Sequence, residues 1–142
     1  MWSRNVLVAV LLAAFVATPA LAESLRVKAP EGAEVYFIAP SNGATLSSPV
    51  TAKFGLKGLG VAPAGTESEK TGHHHLLVDQ KLEDYENAIP KDDTHVHFGG
   101  GQTETTVELT PGTHTLQLVV GDLNHIPHMP PIESEVITVT VE

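Results

Sequence analysis

Apolar residues in this chain recur at every second position, the period of a strand, and no stretch sustains the 3.6-residue period of a helix. Val50, Ala52, Phe54 and Leu56 alternate with Thr51, Lys53 and Gly55, as in a strand with one face on a core. Glu34 to Ile38 reads as a strand before it, with Asn42-Gly43 and Ser47-Ser48-Pro49 punctuating the turn between them. Gly58 to Gly72 reads as a loop, His73 to Asp79 as a strand, and Gln80 to Asp93 as a long charged loop with room for one helical turn. Thr94 to Phe98 is a short strand ending at Gly99-Gly100-Gly101. Thr105, Val107 and Leu109 alternate next, Pro111-Gly112 turns the chain, and His114, Leu116, Leu118 and Val120 share the apolar face of another strand. Gly121 to Glu133 is a Pro-rich loop, and Ile137, Val139 and Val141 mark the last strand. About seven strands with turn signals between them predict an all-β chain, an immunoglobulin-like antiparallel β-sandwich.

The N-terminus breaks this pattern. Val6 to Val16 is almost unbroken apolar sequence behind Arg4, and Ala20-Leu21-Ala22 after Pro19 is a small-x-small cleavage site. Residues 1–22 therefore read as a secretory signal, and 23–142 as one domain in the periplasm or outside the cell. The run falls short of the roughly 20 apolar residues a bilayer span needs, so no stable membrane insertion is expected after cleavage. Removing the signal leaves seven Lys+Arg against 17 Asp+Glu, an acidic balance that disfavours nucleic acid and anionic lipid as partners. The absence of cysteine removes thiolate ligands, thiol nucleophiles and disulfides from consideration.

Histidine carries the candidate chemistry. Seven of the eight fall into three groups: His73-His74-His75, the pair His95 and His97, and His125 and His128 with Met129 following. Imidazole is the commonest protein ligand for zinc, copper, nickel and iron. Residues i and i+2 of a strand face the same way, about 7 Å apart, so His73 with His75 and His95 with His97 can each lean toward one ion. If the apolar residues face the core, both pairs lie on the outer side of their sheet. Prolines at 127, 130 and 131 stiffen the loop that displays His125 and His128. The expected ligands are thus His73, His75, His95, His97, His125 and His128, holding copper first and zinc second, with Met129 beside them favouring the reduced copper ion. His74 and His114 fall on the apolar sides of their strands and read as structural. Asp79, Asp92, Asp93 and Asp122 are candidate partners for orienting the rings. A rival reading needs no ion: crowded imidazoles form a pH-responsive surface on a non-catalytic envelope accessory module.

Enzyme signatures are sparse, and a non-enzymatic role is expected. His97-Phe98-Gly99-Gly100-Gly101 lacks the accompanying Gly-x-Ser-x-Gly elbow of esterases. His73-x-His75-x-x-x-Asp79 has a loose likeness to the His-x-His-x₃₋₄-Glu set of cupin metalloenzymes, which keeps a metal-dependent enzyme as a minority alternative.

Four stretches carry a wider likeness: Thr71 to Asp79, His97 to Glu104, Pro111 to Leu118 and Gly121 to His128. With their Gly-His-His-His and His-Phe-Gly-Gly-Gly-Gln motifs they resemble a family of small secreted bacterial proteins, one of the numbered domains of unknown function. The likeness runs from about Glu34 to Val141 and implies a bacterial periplasmic domain, without a ligand set. In fold and compartment alone the chain is also similar to periplasmic copper carriers of β-sandwich fold, whose methionine-rich motifs it does not reproduce. The resulting expectation is metal buffering or delivery, with the ion and a periplasmic protein as partners.

Overall fold

The computed structural model describes residues 24–142, so the expected signal segment, residues 1–22, lies outside the described residues. Among those described there are nine strands and no helix: β1 (Glu34–Ala39), β2 (Thr45–Leu46), β3 (Val50–Lys57), β4 (Gly60–Val61), β5 (Thr71–Val78), β6 (His95–His97), β7 (Glu104–Val107), β8 (Gly112–Gly121) and β9 (Ile137–Val141). They form two sheets. One has the order β1-β3-β7; the other runs β2-β9-β8-β5-β4, with β6 also paired to β5. Taking β1, β3 and β7 as strands A, B and E, and β5, β8 and β9 as C, F and G, gives the two-sheet division of an immunoglobulin-like sandwich.

The count exceeds the expected seven because β2 and β4 are two-residue strands, too short to show a period. Both pair in parallel, β2 with β9 and β4 with β5, so the larger sheet is mixed rather than purely antiparallel. The stretch expected as a loop before His73 contains β4, and β5 begins at Thr71. Asp79 leaves the strand with a positive φ of 54°. The room left for a helical turn in 80–93 is taken by bends.

Alternation places the core. Val50, Ala52 and Phe54 of β3 face Leu76 and Val78 of β5, Leu116, Leu118 and Val120 of β8, and Val139 and Val141 of β9 across the sandwich. Leu76, Leu116 and Leu118 are fully buried, each contributing roughly 1.5–3 kcal/mol through burial. This makes β5 and β8 a rigid central pair. The opposite face of that pair carries a second, smaller core of Leu77, Val119, Leu82 and Ile89, with Tyr85 packed against it. Loop residues from 80–93 thus close over the outer face of the sheet. That cover decides the environment of every side chain on the outer face of β5, and it sets the histidine site.

Candidate metal centre

In β5 the odd positions His73, His75 and Leu77 point away from the main core, as the alternation requires. His73 and His75 are nevertheless completely buried. The expectation that both His-x-His pairs face outward holds for the side of the sheet but not for exposure, because the loops roof that side. β6 pairs antiparallel with β5 so that His75 lies directly opposite His97, bringing those side chains within cross-strand reach. On the other flank His73 lies opposite Gly121 of β8. A Cβ at position 121 would sit 2.8 Å from His75 Nε2 and 3.2 Å from His125 Cα. Only glycine leaves room for the ring there.

His125 arrives from above. Its loop is wound around the buried Asp122, whose Oδ1 accepts hydrogen bonds from the backbone N–H of Asn124 (2.8 Å) and Ile126 (2.9 Å). The Asp122 carbonyl accepts from the His125 N–H at 2.9 Å. His125 itself has φ 68°, a left-handed conformation that costs a non-glycine residue about 1–2 kcal/mol. The Ile89 N–H donates to the His125 carbonyl at 2.8 Å, tying this loop to the 80–93 loop. Strain at His125 is held in place by bonds on both sides.

Four imidazoles therefore converge: His73, His75, His97 and His125, with all six ring-centroid separations between 4.7 and 6.1 Å. One ring nitrogen from each of His73, His97 and His125 lies within 4.8 Å of the others. His75 Nε2 is 3.0 Å from His73 Nε2. Without an ion, one of these two nitrogens must carry the hydrogen and the other accept it. The same spacing is roughly that between two nitrogens each bound about 2.0–2.1 Å from one ion. No carboxylate joins the set among the described residues. His75 Nδ1 and His97 Nε2 are buried without a hydrogen-bond partner, a state that costs about 1–3 kcal/mol per polar group.

Burial favours the neutral form of His73, His75 and His97. Burial pushes His73 down to about 4, helped by the neighbouring His125 and His97, while Asp122 opposes the shift. Burial, then His73, His97 and His125, push His75 to about 2. Burial and His125 also lower His97. Neutral imidazole is the form that ligates, so the packing presets the protonation state a metal requires.

The structure brings together four of the six expected ligands and leaves two elsewhere. His95 donates from Nδ1 to Asp92 Oδ1 at 2.8 Å and lies opposite Leu77 rather than a histidine. His128 is buried, lowered by desolvation, and paired with none of the four rings. Met129, expected beside the site, is half exposed at 49%, with its backbone bonded to Val27 and Ala29. Asp79 closes on His114 Nδ1 at 2.7 Å and on the Thr115 N–H at 2.8 Å, which separates it from His73 and His75. Two carboxylates do orient imidazoles, but those of His95 and His114. Gly121 and Ile89, which carry no sequence signal for a site, shape it.

His74 faces the main core, its ring 5.1 Å from that of Phe54. Burial holds it near 4, and the Gln102 backbone approaches without reaching hydrogen-bond geometry. Replacing both its buried polar atoms with hydrocarbon removes an unmet desolvation cost. His74→Leu is expected to leave urea stability at neutral pH unchanged or raise it by about 1 kcal/mol, with metal uptake unaltered. A loss of several kcal/mol would show that the imidazole makes a bond essential to the fold.

The fold and cluster together define a β-sandwich domain with a partly buried cluster of four imidazoles on the outer face of its larger sheet. A family model described as a domain of unknown function, DUF4399, matches residues 52–142, and the chain belongs to that family. No curated protein and no solved structure matches it. All four clustered histidines lie within the matched residues, whereas β1 and the arm before it lie outside.

Proposed function

We propose that the protein binds one transition-metal ion per chain through His73, His75, His97 and His125, copper ahead of zinc, and serves to buffer or deliver it. The observation that carries this reading is the convergence of four imidazoles from three separate segments, His73 and His75 buried and His97 and His125 partly so, with ring nitrogens of His75 and His97 left unpartnered. A hydrogen-bonded strut needs acceptors, and this set has almost none. Copper stands ahead of zinc because the Irving–Williams order favours it at a nitrogen site. With Met129 turned outward, no thioether biases the centre toward the reduced ion. The apolar N-terminal run and its cleavage motif support a periplasmic or extracellular setting, where a protein partner would supply or receive the ion.

The test is calorimetric titration of tag-free protein with Cu²⁺ and with Zn²⁺ near neutral pH, with metal analysis of the natively purified protein. One equivalent bound with micromolar or tighter affinity is expected, which corresponds to about −8 kcal/mol or better. No uptake of either ion would overturn the reading and leave the histidines as packing residues of an accessory module.

A further inference from the structure

The residues before β1 lie across the site's roof. The Ala29 N–H donates to the Met129 carbonyl at 2.9 Å and the Met129 N–H to the Val27 carbonyl at 2.9 Å. This parallel pairing seats the arm of residues 24–29 against the loop that carries His125. Immediately before these bonds Arg26 turns inward, with its side chain only 8% exposed. Its Nε donates to the Pro127 carbonyl at 3.0 Å and its Nη2 to the His128 carbonyl. Its Nη1 reaches Glu86 Oε1 at 3.3 Å, and the guanidinium carbon lies 5.8 Å from the centre of the Tyr85 ring.

Pro127 and His128 belong to the 121–131 loop; Tyr85 and Glu86 belong to the 80–93 loop. These two loops cover the imidazoles and are tied directly by the bond from Ile89 N–H to the His125 carbonyl and, just past the far end of the 121–131 loop, by the Tyr85 hydroxyl donating to Glu133 Oε1 at 2.6 Å. One planar guanidinium therefore grips both halves of the roof. The fork geometry of arginine suits this task, since separate donors can serve two carbonyls and a carboxylate at once. Exposed ion pairs hold little, but here the cation is buried on its own side and spent mainly on backbone carbonyls.

We propose that the arm of residues 24–29 is a latch on the histidine centre, with Arg26 as its positioning residue, and that it governs how fast the roof opens and a bound ion exchanges. The consequence for the ion rests on the metal-binding reading; the latch itself does not.

The decisive experiment is hydrogen exchange on the whole metal-free protein, comparing wild type with Arg26→Ala, Arg26→Lys and Glu86→Gln. In Arg26→Ala the Ile89 amide is expected to exchange about tenfold faster while the amides of Leu76 and Leu118 in the central strands keep their rates, the mark of local rather than global opening. Arg26→Lys keeps the charge without the fork and is expected to restore only part of the protection. Glu86→Gln releases one loop alone and gives a smaller acceleration, which decides the matter if Arg26→Ala does not fold. In parallel, release of Cu²⁺ to excess EDTA is expected to speed up in the same order. An unchanged Ile89 rate, or a rise shared equally by β5 and β8, overturns the latch. Wild-type protein that takes up no Cu²⁺ overturns the metal reading instead, and the exchange data still decide the latch.

Discussion

His97→Ala is expected to weaken binding of Cu²⁺ and Zn²⁺ by more than a hundredfold, while His95→Ala, two residues away, leaves it within about threefold. Loss of a mere hydrogen-bond partner of a ligand already costs roughly 10–100-fold, so loss of a ligand lies at or beyond that range. His97 is the informative choice because its ring enters from β6, a short strand at the margin of the sheet, and is only partly buried. Its removal takes a nitrogen from the cluster without opening a hole in the main core. It also deletes a buried, unpartnered Nε2, so the metal-free variant is expected to melt at the wild-type temperature or slightly above. The metal-induced gain should vanish. An ion present at a hundred times its Kd adds about 2.7 kcal/mol to wild-type stability, on the order of 10 °C for a chain of this size. Equal effects from His95→Ala and His97→Ala would mean that the ion sits elsewhere on β6, and the four-ring geometry would fall.

The contrast between those two histidines shows how far a one-dimensional pattern reaches. Period two alone places His73 with His75, and His95 with His97, on one face of their strands. What it cannot supply is register. The β5–β6 pairing sets His97 against His75 and His95 against Leu77; a slip of one residue would have offered Val96 instead. His95 then finds Asp92 within its own turn, a local bond that competes with any distant ion. The proline-stiffened loop was legible as a display platform, and it does present His125. His128 is turned inward because Gly121 bridges to Pro127 and Lys28 to Met129, pairings that depend on segments distant in sequence. The sandwich was readable from Val50 to Phe54 and from Ile137 to Val141, where alternation is strict, and from Leu116, Leu118 and Val120, which share one face although Val119 beside them is also apolar. The roof was not, since Leu82, Tyr85 and Ile89 stand three and four residues apart in a charged stretch, a spacing that suggests a helical turn where the chain only bends. Its closure turns an outer sheet face into an interior one.

That closure predicts an acid-labile fold. His73 and His74 titrate near 4 and His75 near 2 when folded, chiefly because burial disfavours the charged ring. In the unfolded chain each returns to about 6.5. Below that pH the unfolded state binds protons that the native state refuses, so stability falls as pH falls. The contribution of these rings is fully present above about pH 6.5 and is lost progressively down to each ring's folded value. At pH 5 every ring that stays neutral in the native state costs about 2 kcal/mol, and three such rings approach the 5–15 kcal/mol that holds a typical domain together. His114 acts in the opposite sense. Its bonds to Asp79 and to the Thr110 carbonyl raise it, so its stabilisation is present in acid and fades as pH rises through that raised value; one pair offsets only part of the loss. Asp79 and Asp92, both lowered, hold their stabilisation until the pH drops below the ordinary carboxylate range. Urea midpoints of the metal-free protein are therefore expected to fall steeply between about pH 6.5 and 4.5, with His74→Leu showing a shallower slope by close to one proton. Bound copper or zinc should move the whole transition to lower pH, because the ion holds the rings in their neutral form and must be displaced by protons before the chain unfolds. A midpoint that stays flat across this range would mean that the imidazoles accept protons in the folded state, and neither the buried centre nor its presetting for a metal would survive that result.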